Sequence, residues 1–159
     1  MESADVNTWF IPRAAVKPSL TSRASTIVPA SDPDLQLPVD AGAAYSLKLI
    51  LHYDGAAAAD LLIQFAAPAA TAMTMLQSGI IVAGAANTDD VTFAVTQSSP
   101  WAQGLGCFGA GVANGAVLAG TVVTGANAGT LALQWSQGAS SATPTILHAG
   151  CMLMLERIG

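Results

Sequence analysis

Charge is what this sequence has least of. Only 9% of its 159 residues are Asp, Glu, Lys or Arg, against roughly 25% in an ordinary soluble domain. The basic residues are two lysines and three arginines, Arg13, Lys17, Arg23, Lys48 and Arg157, with no cluster among them. A phosphate backbone would find little to neutralise, which argues against nucleic acid as a partner. Between Asp90 and Glu156 there is no formal charge at all. A solitary soluble domain scatters both signs over its exterior, so this long neutral stretch is expected to face other protein. The competing reading is a Ser/Thr/Gln-covered domain that stays monomeric.

Other absences narrow the chemistry. The two cysteines, Cys107 and Cys151, are far apart and show no metal or redox spacing, so free buried thiols are expected. There is no GxSxG, no P-loop, no HExxH and no Gly-rich turn from strand to helix. His52 and His148 fall inside predicted strands with no supporting nucleophile motif. The sequence therefore predicts no catalytic residue, no cofactor and no metal, and an enzyme is not expected. Met1 to Asp5 place acid where a secretory signal needs base, and no apolar stretch follows, which predicts no export signal. Leu105 to Thr124 lacks charge and carries Gly111 and Gly115 at a small-xxx-small spacing, but glycine and alanine dominate it. Asn114-Gly115 at its centre reads as a turn, so no membrane span is expected.

What is present is small and apolar. The chain is 52% hydrophobic with 15 glycines, and much of the hydrophobic share is alanine, so the average buried side chain contributes few of the CH₂ groups worth about 0.8 kcal/mol each. Burial against neighbouring subunits would offset a thin core. The length suits one domain. Residues 1–24 read as an extended N-terminal arm, holding three of the five basic residues, Pro12, Pro18 and the apolar cluster Trp9-Phe10-Ile11. Residues 25–159 read as a β-sandwich.

The clearest strand is Tyr45 to Tyr53, where Tyr45, Leu47, Leu49, Leu51 and Tyr53 alternate with Ser46, Lys48, Ile50 and His52 at the period of a sheet with one face in the core. Asp60 to Phe65 reads as its hairpin partner. Thr26 to Val28, Leu35 to Leu37, Gly79 to Val82, Val91 to Val95, Ala116 to Thr124, Thr130 to Gln137 and His148 to Arg157 read as further strands, and Ala69 to Gln77 fits a helical turn. With turn signals between strands and no helical period, the expected fold is all-β, an antiparallel sandwich of jelly-roll type. The last strand is apolar on both faces, with Met152 and Met154 on one and Cys151, Leu153 and Leu155 on the other. It is expected to be central or covered by a second subunit. Trp9, Phe10, Ile11, Met152 and Met154 are accordingly the expected interface residues.

Two weaker candidates stand beside bland readings. Asp32, Asp34 and Asp40 could be taken as a calcium cluster, but aspartates bonding their own turn backbone explain them more simply. Trp101 would suit a sugar-stacking platform if exposed.

The run from Arg23 through Ser31-Asp32-Pro33-Asp34-Leu35, then Pro38 to the strand ending at Tyr53 and on to Asp60–Pro68, resembles small virion structural proteins of tailed bacteriophages and prophages. Gly129 to Gln137 with Trp135, Ser140 to Thr143 and the strand after Ala149-Gly150 share that resemblance. It implies a capsid decoration (cement) protein that binds the outside of the shell as an oligomer, a trimer by expectation. Its partners would then be itself and a major capsid or other virion protein, its location the virion. A tail-fibre or receptor-binding module contacting a host glycan is the alternative. Residues 1–22 lie outside the resemblance.

Overall fold

A computed structural model describes residues 12–80, 91–97 and 101–159. It is all-β, twelve strands in two antiparallel sheets with no helix among the described residues. The strands are β1 (Arg13–Val16), β2 (Thr21–Arg23), β3 (Ala30–Val39), β4 (Ala44–Gly55), β5 (Leu61–Ala66), β6 (Ala72–Ile80), β7 (Val91–Gln97), β8 (Ala102–Leu105), β9 (Gly109–Val123), β10 (Gly129–Gln137), β11 (Thr145–Leu147) and β12 (Met152–Arg157). The larger sheet runs β1-β12-β4-β9-β6-β7, with β11 bridging β4 and β2, and the smaller runs β3-β10-β5-β8.

Alternation decides which side of each strand is covered. On β4, Tyr45, Leu47, Leu49, Leu51 and Tyr53 are buried, and register carries that face across Leu153 and Leu155 of β12 and Leu118 and Val122 of β9. From the opposite sheet Leu35, Leu37, Ile63, Leu131, Leu133 and Trp135 complete one hydrophobic core. Each large aliphatic side chain buried there contributes about 1.5–3 kcal/mol. The close approach of β6 and β9 depends on Gly120, since a Cβ there would run into the Thr74 carbonyl.

Several elements differ from expectation. The second half of the span read as an arm is built into the larger sheet, as Arg13–Val16 pairs with β12 and Thr21–Arg23 with β11; alternation over three or four residues is too short to show in sequence. Asp60–Phe65 does not pair with the Tyr45 strand: a turn at Ala56–Ala59 and Asp60 in a left-handed conformation (φ 57°) carry β5 into the other sheet, beside β10 and β8. Ala72–Ile80 is strand rather than helical turn, and Thr26–Val28 is not in a strand. Asn114-Gly115 is no turn, because Asn114 Nδ2 donates to Tyr53 O and Val112 O and β9 continues through it. The final strand begins at Met152 rather than His148, because residues 148–151 turn at Gly150 (φ 86°) between β11 and β12.

Candidate functional site

The pleat that buries one face of the larger sheet leaves the other uncovered by the smaller sheet. Register aligns that outer face into rows. Val16, Met152, Ile50 and Val117 lie side by side across β1, β12, β4 and β9, and Ser78 of β6 ends the row. The next row is Ala14, Met154, Lys48, Ala119 and Leu76. Val16 (56%), Leu76 (46%) and Val117 (41%) are exposed, and Met152, Met154 and Ile50 are half-buried. At the end of the face nearest Phe108 lies a groove of about 410 Å³ lined by Ile50, His52, Phe108, Gly115 and Val117 among others. Side chains of this character on neighbouring strands form one apolar surface, the kind that soluble monomers seldom leave open.

The edge of the same sheet is pinned by a buried polar cluster. Lys17, one residue beyond β1, places Nζ 3.0 and 2.9 Å from the two Asp32 oxygens and 2.9 Å from Asp34 Oδ2. The Lys17 and Asp32 side chains have no exposed area. Trp135 Nε1 donates to Asp32 Oδ2 at 3.1 Å, and the Asp34 and Leu35 amides donate to Asp32 Oδ1. Arg23 lies over the Trp135 ring, 4.1 Å from its centroid, and donates to the carbonyls of Ala30, Ser31 and Trp135. Burial works to lower the Lys17 pKa, but the hydrogen bonds and charges of Asp34 and Asp32 outweigh it, so the pKa is raised. The ammonium thus sits where the sequence offered a cation site. Asp40 is elsewhere, paired with Arg13 (3.2 Å) and Arg157 (3.4 Å) and accepting from the Tyr45 hydroxyl. Asp32 does bond its own turn backbone, inside a bulge where β3 departs from the β10 register. No group of three or more metal-ligating side chains is assembled among the described residues.

The remaining reactive side chains are restrained. Cys107 and Cys151 are free and buried. Burial pushes the Cys107 thiol up to about 12, with the Asp60 and Asp54 charges adding to it, and burial also raises Cys151. A thiol held neutral is a poor nucleophile and metal ligand. His148 Nε2 lies 2.8 Å from Asp54 Oδ2, joining β11 to the end of β4. His52 is exposed on the outer face. Trp101 is fully buried, its ring 5.8 Å from that of Phe65, and so is no surface platform for a sugar.

Of the expected interface residues, Met152 and Met154 both point to the outer face, on a strand lying between β1 and β4. Trp9, Phe10 and Ile11 lie outside the described residues. The outer-face side chains that the expectation missed are Val16, Ile50, Leu76 and Val117. Ile50 was visible in sequence as the apolar residue among Ser46, Lys48 and His52; the others needed the register.

The fold and site together define an all-β protein of two packed antiparallel sheets with one apolar sheet face exposed. No protein family and no curated protein matches the chain. Among solved structures it is similar to a chain in "Structure of infectious bursal disease virus Gx strain", at 10% identity and a TM-score of 0.21. The similarity covers 92% of this chain and 40% of that one. A TM-score that low falls short of a shared fold and says nothing about what this chain does.

Proposed function

We propose that this chain is a bacteriophage virion structural protein, a decoration or cement subunit that binds the outside of the capsid as an oligomer and has no catalytic role. The observation that carries the reading is the exposed apolar face of the larger sheet, crossing five strands with hardly a charge. Such a face suits a subunit whose contacts are with protein, and many weak symmetric contacts stabilise a shell by avidity. The strand orders β1-β12-β4-β9 and β3-β10-β5-β8 support a jelly roll, an architecture used in viral capsids and in lectins alike. That fold-level analogy favours the reading without deciding it. The sequence resemblance to small virion proteins points the same way. The tail-fibre reading relied on Trp101 as a glycan platform, and its burial removes that support.

The test is co-sedimentation of the purified full chain with empty capsids from its own phage prepared without it. Saturable co-sedimentation with the shells is the expected result. Failure to travel with shells at any concentration overturns the decoration reading. Deletion of residues 1–11 sharpens it, because a longer cut would remove β1 and Lys17 and confuse lost attachment with lost folding.

A further inference from the structure

We infer that the outer face of the larger sheet is self-complementary and is where two copies of this chain meet face to face about a two-fold axis. The inference deepens the assembly reading above and rests on it only for its biological setting.

Three observations select a second copy as the occupant. The first is the apolar surface itself, with Val16, Met152, Ile50 and Val117 in one row and Ala14, Met154, Ala119 and Leu76 in the next. The second is its charge. Of the charges on the described outer face, Asp54 of β4 is held by His148, which leaves one cation and one anion, Lys48 of β4 and Glu156 of β12, on adjacent strands and one row apart. Neither is in an ion pair among the described residues. A patch carrying one charge of each sign is matched by its own copy after a half-turn, which brings each Lys48 towards the partner's Glu156; this is the isologous geometry of two-fold dimers. The third is size. Strands about 4.8 Å apart and rising about 3.3 Å per residue give the five described strands a footprint of roughly 24 by 27 Å, or about 650 Å² before side-chain relief. Stable interfaces bury about 600–1,000 Å² per partner, so the face falls at the lower end of the range a dimer needs. An isologous pair also makes the assembly even-numbered, in place of the trimer expected from sequence.

The test is sedimentation velocity of the full chain over a range of concentrations. A dimer is expected. Lys48→Glu and Glu156→Lys should each weaken it about tenfold, the scale of losing or opposing close charge pairs, and the double substitution should restore it. Val117→Lys should abolish it while the circular dichroism spectrum stays that of the parent, since the residue makes no core contact. A monomer at every concentration, a trimer, or a dimer indifferent to Val117→Lys and to the charge exchange overturns the inference. Capsid co-sedimentation separates the two proposals: a dimer that ignores shells sinks decoration alone, and a monomer that binds shells sinks the dimer face alone.

Discussion

On β9 the chain sets Leu118 under the smaller sheet, fully buried, and Val117 on the opposite side of the same strand, 41% exposed. Their neighbours repeat the contrast. Leu49 and then Leu153 continue the row from Leu118 in the core, while Ile50 and then Met152 continue it from Val117 outside. Side chains of similar chemistry therefore meet different surroundings on the two faces. The inner set is covered by the chain's own second sheet, and folding gains its burial. The outer set is not covered by that sheet and contributes less to the folded monomer; on the reading proposed above, its apolar character serves contact with another molecule. Substitutions that act on stability should concentrate on the inner face, and those that act on association on the outer.

The largest effect is expected at the edge where the inner face is closed by charge. Lys17→Met leaves Asp32 buried with its Trp135 and backbone donors but without its cation, and breaking a buried pair this way costs about 3–5 kcal/mol. Urea denaturation should show that loss directly. The same cluster gives a pH signature. Because the Lys17 pKa is raised above 10.5 in the fold, its contribution is fully present below 10.5 and is lost as pH rises through the folded value. Cys107 acts in the same direction from a lower pH: the unfolded thiol ionises above about 9.0 while the folded one stays neutral up to about 12, which favours unfolding. The urea midpoint should fall as pH climbs above 9, and Cys107→Ala should reduce the earlier part of that fall, the raised thiol of Cys151 supplying the remainder. A midpoint unchanged between pH 9 and 10.5 would contradict the Cys107 assignment, and one unchanged above pH 10.5 would contradict that of Lys17.

Leu118→Ala comes next. It deletes a fully buried side chain between Leu49 and Gln77 and should cost about 2–5 kcal/mol, the range set by how far the cavity collapses. A chemical denaturation midpoint shifted without a change in slope would report it as a pure loss of packing.

How much of this was legible in sequence depended on the length of each pattern. Tyr45 to Tyr53 alternates over nine residues, and its buried face is the one the period named. Thr130 to Gln137 alternates in the same way, with Leu131, Leu133 and Trp135 on one face, and all three are buried. The Asp32 turn was readable because an aspartate beside proline bonds its own backbone, and it does. The partner of the Tyr45 strand was not, since Asp60 to Phe65 looks the same whether it pairs next door or crosses to the other sheet. Lys17 illustrates the same limit. A lysine between short, weakly patterned segments looks like surface, and only the approach of β1 to β3 buries it against Asp32. The outer face was half legible. Met152 and Met154 stood out as apolar residues on a strand whose other side was already core, but it takes the register to show that Met152 falls in line with Val16, Ile50 and Val117.

The smallest effect is the one that most sharpens the contrast. Val117→Thr keeps a β-branched side chain on a strand, so the backbone preference is retained, and it exchanges one methyl for a hydroxyl that water can reach. Surface changes of this kind fall within about 0.5 kcal/mol, roughly a tenth of the upper cost at Leu118, one residue away. Measured by urea denaturation at low protein concentration, where any dimer is dissociated, a shift beyond that range would mean that Val117 is held by the fold itself. The outer face would then belong to the core in energetic terms, and the separation between a folding face and an association face would fail at its centre. A null shift at low concentration, combined with a loss of stability at high concentration relative to the parent, would instead place Val117 in a contact that exists only between molecules, because only binding linked to the folded state makes stability depend on protein concentration.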